Sequence, residues 1–483
     1  MFIKKEGIDY LSNFYRSALY DKKNKIYLLT TDDGNFLFVN SSALRQLRTG
    51  KIIDESIFNI FLSKNIIVNE NNFNKIVQKT TKRYGFLANG TSLHIVIPTH
   101  RCNLGCTYCF ASATKIEDSK DENDLDEKTA RKIVEFILTS PSNAITIEFQ
   151  GGEATARFDT VKLMSLYAKE LNKKYKKDLK ITIVTNLTLM TEEIATWLVE
   201  NDVSICTSFD GPKIVHDKNR FINAKNGIEI GTYDKVVYWI NKINQIYQDK
   251  NKPYKVNALM TVTKHSLPYY KEIIDEYAKL KIQFVNIRSL TEVGRVEENS
   301  DSIMYSKKEF IKFYENSINY IKELHIKGVY MSERILEMYA QKILLNTPTY
   351  HADFESPCGA ATGQITYHNN GNIYTCNEAL CRDEFKIGNV FEDTWQGVFQ
   401  KKETSKAILN SMLESNVKCD RCVFKPYCGT CMVENFYHLG KFNFYPTKTS
   451  KHHETVYQCK TIFDEILKNI NNQDQIKLTQ KAN

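Results

Sequence analysis

The chain has 483 residues, of which 42% are apolar and 25% charged, with 20 Gly and 9 Pro. This composition excludes a collagen-like, mucin-like or wholly disordered chain, and the length predicts two to four domains. The net charge of +8 is spread along the chain and gives no indication of nucleic-acid binding. The start, MFIKKEGIDY, lacks the apolar core of a signal peptide, and no apolar run is long enough to span a membrane. We therefore expect a soluble, cytoplasmic protein that binds neither nucleic acid nor a membrane.

Residues 1–80 are predicted to form a small separate unit. IYLLTT and FLFVN alternate around Asp32-Asp33-Gly34, which predicts a hairpin. Ser41 and Ser42 are candidate caps for a helix through ALRQLRTG, and SIFNIFLSKNIIV predicts a second helix that leads into a strand. Strands followed by short helices suit a winged-helix-like module, which is either a peptide binder or a structural cap.

Residues 90–330 alternate between strand-like and helix-like segments. The six strand-like segments are SLHIVIPT, AITIEFQ, KITIVTN, VSICTSFD, VNALMTV and FVNIRSL. This alternation predicts an α/β fold with a parallel sheet, either open or closed into a barrel, and chemistry at the carboxyl ends of its strands. Beyond it we predict a helical bridge at 331–355, a turn-rich, cysteine-dense domain at 356–465 and a polar tail at 466–483.

Cysteine is the most informative residue type. Two of the twelve, Cys206 and Cys381, stand alone, and the other ten form three groups: Cys102, Cys106 and Cys109; Cys358 and Cys376; Cys419, Cys422, Cys428, Cys431 and Cys459. A disulfide framework is the alternative, but it belongs to oxidising compartments. Crowded cysteines in a reducing compartment indicate metal or iron–sulfur sites.

The first group has the spacing Cys102-x3-Cys106-x2-Cys109 and directly follows a predicted strand. Iron–sulfur clusters usually have four cysteine ligands, so three thiolates leave one iron open to another ligand. A structural zinc site is the alternative, but it is normally closed by a fourth ligand.

This motif resembles the signature of the radical S-adenosylmethionine (SAM) superfamily, in which an aromatic residue, here Tyr108, precedes the last cysteine. The resemblance implies a partial (β/α)6 barrel and a [4Fe–4S] cluster on Cys102, Cys106 and Cys109, whose open iron binds SAM. One-electron cleavage of SAM then gives a 5′-deoxyadenosyl radical that abstracts a substrate hydrogen. It also implies an external reductant of the flavodoxin or ferredoxin type.

Further family motifs follow at the ends of later strands. Gly151-Gly152-Glu153 resembles the GGE motif, in which the glycines allow close approach of the ligand and Glu153 would accept a hydrogen bond from the SAM ammonium; a plain turn is the alternative. Asn186 stands in the family's Thr-Asn-Gly position, with Leu187 in place of the glycine. By resemblance, both motifs contribute to the SAM site.

The segment SFDGPKIVHDKNR resembles the fourth-strand motif of peptide-modifying members. Ser208 is predicted to bind the SAM ribose or carboxylate. Asp210, His216 and Arg220 either contribute to the same site or only fix the loop. Arg288 and Gly294-Arg295 are placed toward the adenine or substrate, and an ion pair with an acidic neighbour is the alternative for Arg288.

The C-terminal cysteines resemble the SPASM domain, which holds two auxiliary [4Fe–4S] clusters. One departure is the last internal spacing, Cys428-x2-Cys431, where the family has three intervening residues. By position, one cluster would use Cys419, Cys422, Cys428 and Cys459. The other would use Cys358, Cys376 and Cys431, with its fourth ligand open, supplied by substrate or provided by Cys381. A pair of zinc ribbons is the alternative.

Two further residues are candidates for chemistry. Glu378, two residues after Cys376, is a candidate base for an oxidised substrate, although some relatives carry an Asp directly after the equivalent cysteine, where this chain has Asn377. Cys206 is predicted to be a small buried hydrophobe; the alternative is a hydrogen-atom donor, as in epimerising members.

Over residues 86–465 the chain resembles the radical SAM maturase of His-Xaa-Ser peptide systems, and the N-terminal unit resembles the PqqD-like fold that captures leader peptides. The implied substrate is a ribosomally made precursor peptide with a leader, which is cross-linked or epimerised. An anaerobic sulfatase-maturing enzyme and a non-catalytic cluster or zinc scaffold are the alternatives.

Overall fold

The structure is a computed structural model that describes residues 2–5, 8–223, 228–347, 349, 351–380, 382–442 and 449–470. Its N-terminal unit combines short strands and helices. Its strands are β1 (Phe2–Lys5), β2 (Ile8–Ser12), β3 (Tyr15–Asp21), β4 (Ile26–Thr31), β5 (Phe36–Val39) and β6 (Ile67–Val68). Its helices are α1 (Ser41–Thr49), α2 (Glu55–Ser63) and α3 (Glu70–Tyr84). β3, β4 and β5 form one antiparallel sheet, and β1, β2 and β6 form another.

The predicted hairpin is confirmed as β4–β5, and the predicted helix–strand pair as α2–β6. The predicted cap of α1 is wrong, because the helix begins at Ser41 and the side chain of Asn40 accepts the hydrogen bond from the Ala43 N–H at 2.9 Å. The side-chain oxygens of Asn and Ser both accept such a hydrogen bond, so the local sequence allowed either position.

Strand β4 is buried on both faces, which explains its continuous apolar run. Leu29 packs with α1 and α2 inside the unit. Leu28, on the other face, packs with Tyr427 and Phe463 of the C-terminal module. The N-terminal unit and the cysteine-rich module therefore share a hydrophobic core.

The central segment alternates strands and helices. Its strands are β7 (Leu93–Val96), β8 (Arg101–Cys102), β9 (Thr114–Lys115), β10 (Ala144–Phe149), β11 (Asp178–Thr185), β12 (Val203–Ser208), β13 (Phe221–Asn223), β14 (Glu229–Gly231), β15 (Asn257–Thr261), β16 (Phe284–Val285), β17 (Ile287–Arg288) and β18 (Ser332–Glu333). Its helices are α4 (Lys120–Asn123), α5 (Glu127–Leu138), α6 (Phe158–Tyr175), α7 (Glu192–Glu200), α8 (Lys213–Asn219), α9 (Tyr233–Asp249), α10 (Tyr270–Lys279), α11 (Arg295–Ile303), α12 (Lys307–Ile326) and α13 (Arg334–Ala340).

Six parallel strands form the main sheet, as the sequence predicts, and their order is β17-β15-β12-β11-β10-β7. Successive side chains of a strand point to opposite faces of the sheet, so each strand has one apolar and one more polar face. In β10, Ile145, Ile147 and Phe149 are buried in the helix-side core, and Glu148 lies on the opposite face. The helices cover one face, and the other carries polar side chains.

The C-terminal module extends this sheet. Its elements are β19 (Gln364–Tyr367), β20 (Asn372–Tyr374), β21 (Lys386–Asn389), α14 (Trp395–Gln400), α15 (Lys402–Ser411), α16 (Val417–Asp420), α17 (Met432–Leu439) and α18 (Ser450–Lys468). β19 pairs in parallel with β7, and β20 and β21 follow antiparallel, which makes a mixed nine-stranded sheet. The module is more helical than the turn-rich domain we predicted. Helix α18 buries Ile462 and Phe463 in the core shared with the N-terminal unit, and α15 buries Ala407 beside Cys358 and Cys376. Within the described ranges, no helix has both the length and the apolar character that a bilayer crossing needs.

Candidate functional site

The first three cysteines lie on a loop at the carboxyl end of β7, and three other segments hold this loop. The Gly105 N–H donates to the Phe221 carbonyl at 2.8 Å, and the Thr107 N–H donates to the Asn219 carbonyl at 3.0 Å. The Arg295 N–H donates to the Cys109 carbonyl at 3.0 Å. Arg295 therefore braces the loop, whereas the sequence suggested that it faces the adenine or substrate.

Amide groups point at the sulfur of Cys102. It accepts from the Leu104 N–H at 3.4 Å and from the Asn186 side-chain amide at 3.8 Å. Burial raises the pKa of the Cys102 thiol and raises that of Cys106 to about 11, against the lowering effect of the nearby Arg220 guanidinium. N–H donors favour the thiolate that a cluster ligand requires.

The Gly151-Gly152 turn packs directly under this loop. Gly151 has φ +127°, which favours glycine, and a Cβ on Gly152 would lie 2.3 Å from the Arg101 carbonyl oxygen. The Gly152 N–H donates to the Thr99 carbonyl and the Glu153 N–H to the Arg101 carbonyl, each at 2.9 Å. No other residue type fits at Gly152 without moving the strand-to-loop backbone that precedes Cys102.

Glu153 is buried, and its carboxylate joins the ends of β10 and β11. Oε1 accepts from the Thr155 N–H at 3.0 Å and from the Thr185 hydroxyl at 2.6 Å, and Oε2 accepts from the Asn186 N–H at 2.7 Å. The structure gives this side chain an internal positioning role. Its contact with the SAM ammonium stays a prediction.

Asn186 links the end of β11 to the cysteine loop. Its amide donates to the Asn103 side-chain oxygen at 3.1 Å as well as to Cys102, and its own oxygen accepts from the Thr188 N–H at 2.8 Å. Leu187 adopts φ +60°, a left-handed conformation that favours glycine, which is the residue of the Thr-Asn-Gly motif at this position.

A buried chain of hydrogen bonds involves the fourth-strand motif. Arg220 donates to the Tyr108 hydroxyl at 2.9 Å, and this hydroxyl donates to Asp210 at 2.8 Å. Asp210 also accepts from the Asn219 amide at 3.1 Å, and burial raises its pKa while Arg220 opposes this rise. His216, fully buried, contacts the Thr232 hydroxyl at 3.1 Å. These contacts favour the loop-fixing role for Asp210, His216 and Arg220.

Ser208 and Gly294 are two further residues that the sequence analysis placed near SAM, its adenine or the substrate. Ser208 ends β12, half-buried and in register with Leu259, and its contact with SAM stays a prediction. Gly294 has φ +67°, and a Cβ there would lie 2.5 Å from the Cys109 carbonyl oxygen. Glycine at this position thus permits the close packing of the residue 294 loop on the cysteine loop.

The polar face of the sheet carries residues that the sequence analysis missed. Glu148 of β10 accepts a hydrogen bond from Gln150, which itself accepts from the Asn377 amide at 3.4 Å. Cys206 lies on this face too, opposite the buried Ile205, and burial raises its pKa to about 12, with a further contribution from Glu148. Cys206 is therefore not part of the apolar core, whereas the sequence analysis predicted a small buried hydrophobe. The alternation in AITIEFQ already places Glu148 opposite the apolar residues, and this signal could have identified it.

Arg288 and Glu378 connect the central sheet to the cysteine-rich module. The Arg288 guanidinium lies 3.4 Å from Glu378 Oε1, which confirms the ion-pair alternative for Arg288. Glu378 Oε2 lies 3.7 Å from the Cys431 sulfur. The predicted base is therefore engaged on both oxygens.

The remaining ligand candidates form two groups. Cys358 and Cys376 are buried with Ile95 and Ile97 beside β7, and Cys431 packs against the same cluster. The Cys431 sulfur accepts from the Glu434 N–H at the start of α17, at 3.4 Å. The second group comprises Cys419, Cys422, Cys428 and Cys459. Burial raises the pKa of all four thiols, and Cys422 and Cys428 add to the rise at Cys419 and Cys459. Cys381 lies outside the described residues.

These donor sets fit iron–sulfur clusters. Thiolates are soft ligands that suit iron–sulfur centres, and N–H groups directed at sulfur tune such centres. Around the first loop, the absence of a Cβ at Gly152 and the inward-pointing amides add to this fit. Within the described part of the chain, no three His, Cys, Asp or Glu side chains form a site for a single metal ion.

Residues 96–247 match the sequence model described as Radical SAM superfamily. This segment is a radical SAM domain. The match includes the three-cysteine loop, the Gly151-Gly152 turn and the fourth-strand motif, and the family implies a [4Fe–4S] cluster and SAM.

Relatives and solved structures extend the comparison. The chain is 27% identical over 354 residues to the cysteine-type anaerobic sulfatase-maturating enzyme of Clostridium perfringens, covering 70% of this chain and 88% of the relative. The structure of native anSMEcpe with bound AdoMet and Cp18Cys peptide matches with TM-score 0.63 and 20% identity, covering 80% of this chain and 99% of that one. Streptococcus suis SuiB bound to precursor peptide SuiA matches with TM-score 0.53 and 16% identity, covering 92% and 98%. The chain shares their α/β fold with a mixed parallel sheet.

Proposed function

We propose that this radical SAM enzyme oxidatively matures a ribosomally made peptide. The observation that carries the proposal is the folded N-terminal unit, which packs through Leu28 and Phe38 onto the cysteine-rich module. The fold match to SuiB, a protein solved with a precursor peptide, extends over 92% of this chain, whereas the match to the sulfatase-maturating enzyme structure extends over 80%.

The first site would hold its cluster on Cys102, Cys106 and Cys109. When bound there, SAM supplies the 5′-deoxyadenosyl radical of the family. The protein residues supply position: Gly151-Gly152 keeps the strand-to-loop backbone close, and Glu153 fixes the backbone of Asn186. Arg220 and Asp210 hold the loop through their hydrogen bonds with Tyr108.

The C-terminal module is proposed to be a SPASM-type domain with two auxiliary [4Fe–4S] clusters, on the two cysteine groups described above. Such clusters can accept the electron that remains when a substrate radical becomes a closed-shell product. The packing of Cys358 and Cys376 beside β7 supports this role, because β7 also leads to the first cysteine loop.

The N-terminal unit is proposed to be a PqqD-like module that captures the leader of the precursor peptide. The sheet order leaves β3 and β5 as the outer strands of their sheet within the described residues. An outer strand offers unpaired backbone groups to an added peptide strand. The residues 1–80, 90–330, 331–355 and 356–465 then form the capture unit, radical core, bridge and auxiliary-cluster domain, with a flavodoxin- or ferredoxin-type protein as reductant.

A second candidate is an anaerobic sulfatase-maturing activity, which oxidises a cysteine or serine to formylglycine. The 27% identity to the Clostridium perfringens enzyme favours it. A His-Xaa-Ser peptide and an epimerised peptide are finer possibilities within the first candidate, and Cys206 on the polar sheet face is where a hydrogen donor for epimerisation would lie.

Mass spectrometry of a co-expressed peptide tests the proposal. A peptide encoded by a small open reading frame beside the gene, where one is found, is expressed with the enzyme under anaerobic conditions. Loss of two hydrogen atoms indicates a cross-link. A mass that is unchanged in H2O but raised by deuterium incorporation in D2O indicates epimerisation. An unmodified precursor, together with formylglycine formation on a sulfatase-type peptide, overturns the proposal in favour of the second candidate.

Two cysteine substitutions separate the clusters by role. Cys102→Ala should abolish SAM cleavage, because it removes a ligand of the SAM-binding cluster. Cys422→Ala should keep partial SAM cleavage but give no finished product. Both are measured as 5′-deoxyadenosine and modified peptide per enzyme, and equal, complete loss of cleavage in the two variants contradicts separate roles.

A further inference from the structure

Glu148 is a carboxylate without a cationic partner on the polar face of the central sheet. It is half-buried near the carboxyl end of β10, and its Oε1 accepts a hydrogen bond from the Gln150 amide. Within the described ranges, no hydrogen bond reaches Oε2, and no lysine or arginine forms an ion pair with this side chain. An uncompensated, largely desolvated carboxylate lowers the stability of the fold, which favours a role in binding.

The side chains beside Glu148 carry no charge that could compensate it. Ile95 of β7 and Thr182 of β11 are in register with Glu148 on the two neighbouring strands. Arg288 belongs to β17, which three other strands separate from β10, and its guanidinium is already paired with Glu378. A cation that pairs with Glu148 therefore has to come from a bound molecule.

Glu148 lies between the two sites that are proposed to hold the first cluster and the first auxiliary cluster. Gly151, three residues further on, belongs to the turn that packs under the first cysteine loop. Gln150, which holds Glu148 Oε1, accepts a hydrogen bond from the Asn377 amide at 3.4 Å, and Asn377 directly follows Cys376. A substrate that is within reach of both sites lies over this part of the polar face.

We propose that Glu148 Oε2 binds a basic side chain, lysine or arginine, of the precursor peptide close to the residue that is modified. This rests on the proposed function and narrows its substrate class to peptides with a basic residue in the modified segment. The carboxylate oxygen accepts a charge-assisted hydrogen bond from the ammonium or guanidinium group, which supplies the missing positive charge. No covalent bond forms or breaks in this step, and Glu148 determines specificity.

Cys206 provides a chemical reporter of this negative charge. It lies on the same polar face, and Glu148 adds to the effect of burial on its pKa. The experiment uses anaerobic holoenzyme in a Cys381→Ala background, which leaves Cys206 as the cysteine outside the three groups. Mass spectrometry measures how fast Cys206 reacts with cationic 2-aminoethyl methanethiosulfonate and with neutral methyl methanethiosulfonate. The ratio of the two rates cancels differences in thiolate fraction between variants.

Glu148→Gln should lower the ratio of the cationic to the neutral rate about tenfold, because it removes the charge and keeps the shape of the side chain. The anionic 2-sulfonatoethyl reagent should show the opposite change. Glu193→Gln, which removes an exposed carboxylate from α7, controls for net charge and should keep the wild-type ratio. Equal ratios in the wild type and Glu148→Gln overturn the proposal, and so does an equal fall in both variants.

A double-mutant cycle with the precursor peptide identifies the bound residue. In a precursor that the enzyme modifies, each lysine of the modified segment is replaced by methionine and each arginine by glutamine. Fluorescence anisotropy then gives the Kd of each peptide for the wild type and Glu148→Gln. One replacement should weaken binding to the wild type about tenfold and leave binding to Glu148→Gln unchanged.

Two results of this cycle contradict the proposal: additive effects for every basic residue, and a modified segment that contains no basic residue. A precursor that the wild type leaves unmodified overturns the proposed function instead. The rates of Cys206 modification do not depend on the peptide, so the two failures are distinguishable.

Discussion

Leu187 has two opposing effects on the stability of the fold: its backbone conformation is strained, and its side chain packs in the core. Its φ of +60° lies in the left-handed region, which costs a side-chain-bearing residue about 1–2 kcal/mol. Its side chain is fully buried in the main core, where truncation of a leucine to alanine typically costs about 2–5 kcal/mol. The packing contribution is the larger, which explains why leucine is tolerated in the position of the family's glycine.

We expect both Leu187→Ala and Leu187→Gly to lower the apparent melting temperature, because both remove packing. Leu187→Gly should nevertheless melt higher than Leu187→Ala, since glycine alone relieves the backbone strain. The difference should be about 1 kcal/mol in favour of glycine, the reverse of its usual disadvantage. Differential scanning calorimetry of the reconstituted variants measures the order, and a more stable alanine variant contradicts strain at this position.

Candidate site residues were predictable from the sequence where they belong to a short motif with a characteristic spacing. Cys102, Cys106 and Cys109, and likewise Gly151 and Gly152, carry their information within a few neighbouring positions. The partners of Glu153 and Arg288 were not predictable, because Asn186 is 33 residues from Glu153 and Glu378 is 90 residues from Arg288. Only the folded chain brings such groups within hydrogen-bond distance.

Helix α17 is tied to the loop that supports the cysteine loop by an ion pair. His438 Nδ1 lies 3.2 Å from Glu292 Oε2, and Nε2 lies 3.7 Å from Glu434 Oε1. Hydrogen bonds to Glu292 and then Glu434 raise the pKa of His438 to about 10, and His438 lowers the pKa of Glu292, with a smaller effect from Lys307. Glu292 lies two residues before Gly294, which packs on the Cys109 backbone.

The stability contributed by this pair should depend on pH. Because the folded-state pKa of His438 is raised, the contribution is complete below about pH 6.5 and is lost as the pH rises toward 10. The apparent melting temperature of the wild type should therefore fall more steeply between pH 7 and pH 10 than that of His438→Gln. Thermal denaturation across this range tests it, and parallel pH profiles would refute the contribution.

Elements with a strong periodic pattern were predictable, and pairings between distant elements were not. The apolar runs of β7, β10, β11, β12, β15 and β17 identify the six strands, whereas the order in which they pair comes from the fold. The sequence of β19 contains no signal that selects β7 as its partner, because any unpaired parallel edge satisfies the same backbone groups. Helix α18 was missed for a related reason: its burial depends on the cysteine loops and on β4 and β5 of the N-terminal unit.

Arg16 joins the N-terminal unit to the cysteine-rich module through two ion pairs. It is 3% exposed, and its guanidinium lies 2.8 Å from Asp32 and 3.3 Å from Asp420, the residue after Cys419. Lys425 contacts the same two carboxylates at 3.4 and 3.0 Å. The module that carries the second cysteine group is thus anchored to the unit proposed to capture the leader.

Arg16→Ala should lower the free energy of unfolding by about 2–3 kcal/mol, because it leaves two carboxylates with Lys425 as their remaining cation. It should also accelerate iron loss from the cluster on Cys419, Cys422, Cys428 and Cys459. Arg48→Ala, which removes an exposed arginine of the same unit, is the control and should change neither quantity. Thermal melts and iron release to a chelator measure both effects, and identical behaviour of the two variants would count against the anchor.

The pairing of β19 with β7 determines how this protein can be divided for engineering. A fragment that ends before residue 364 would leave the edge of β7 bare, and bare parallel edges recruit other chains into aggregates. Split versions should therefore be cut on the far side of β21, or supplied with the missing hairpin in trans. Complementation by a peptide containing β19 and β20 would provide a reporter for assembly that needs no knowledge of the substrate.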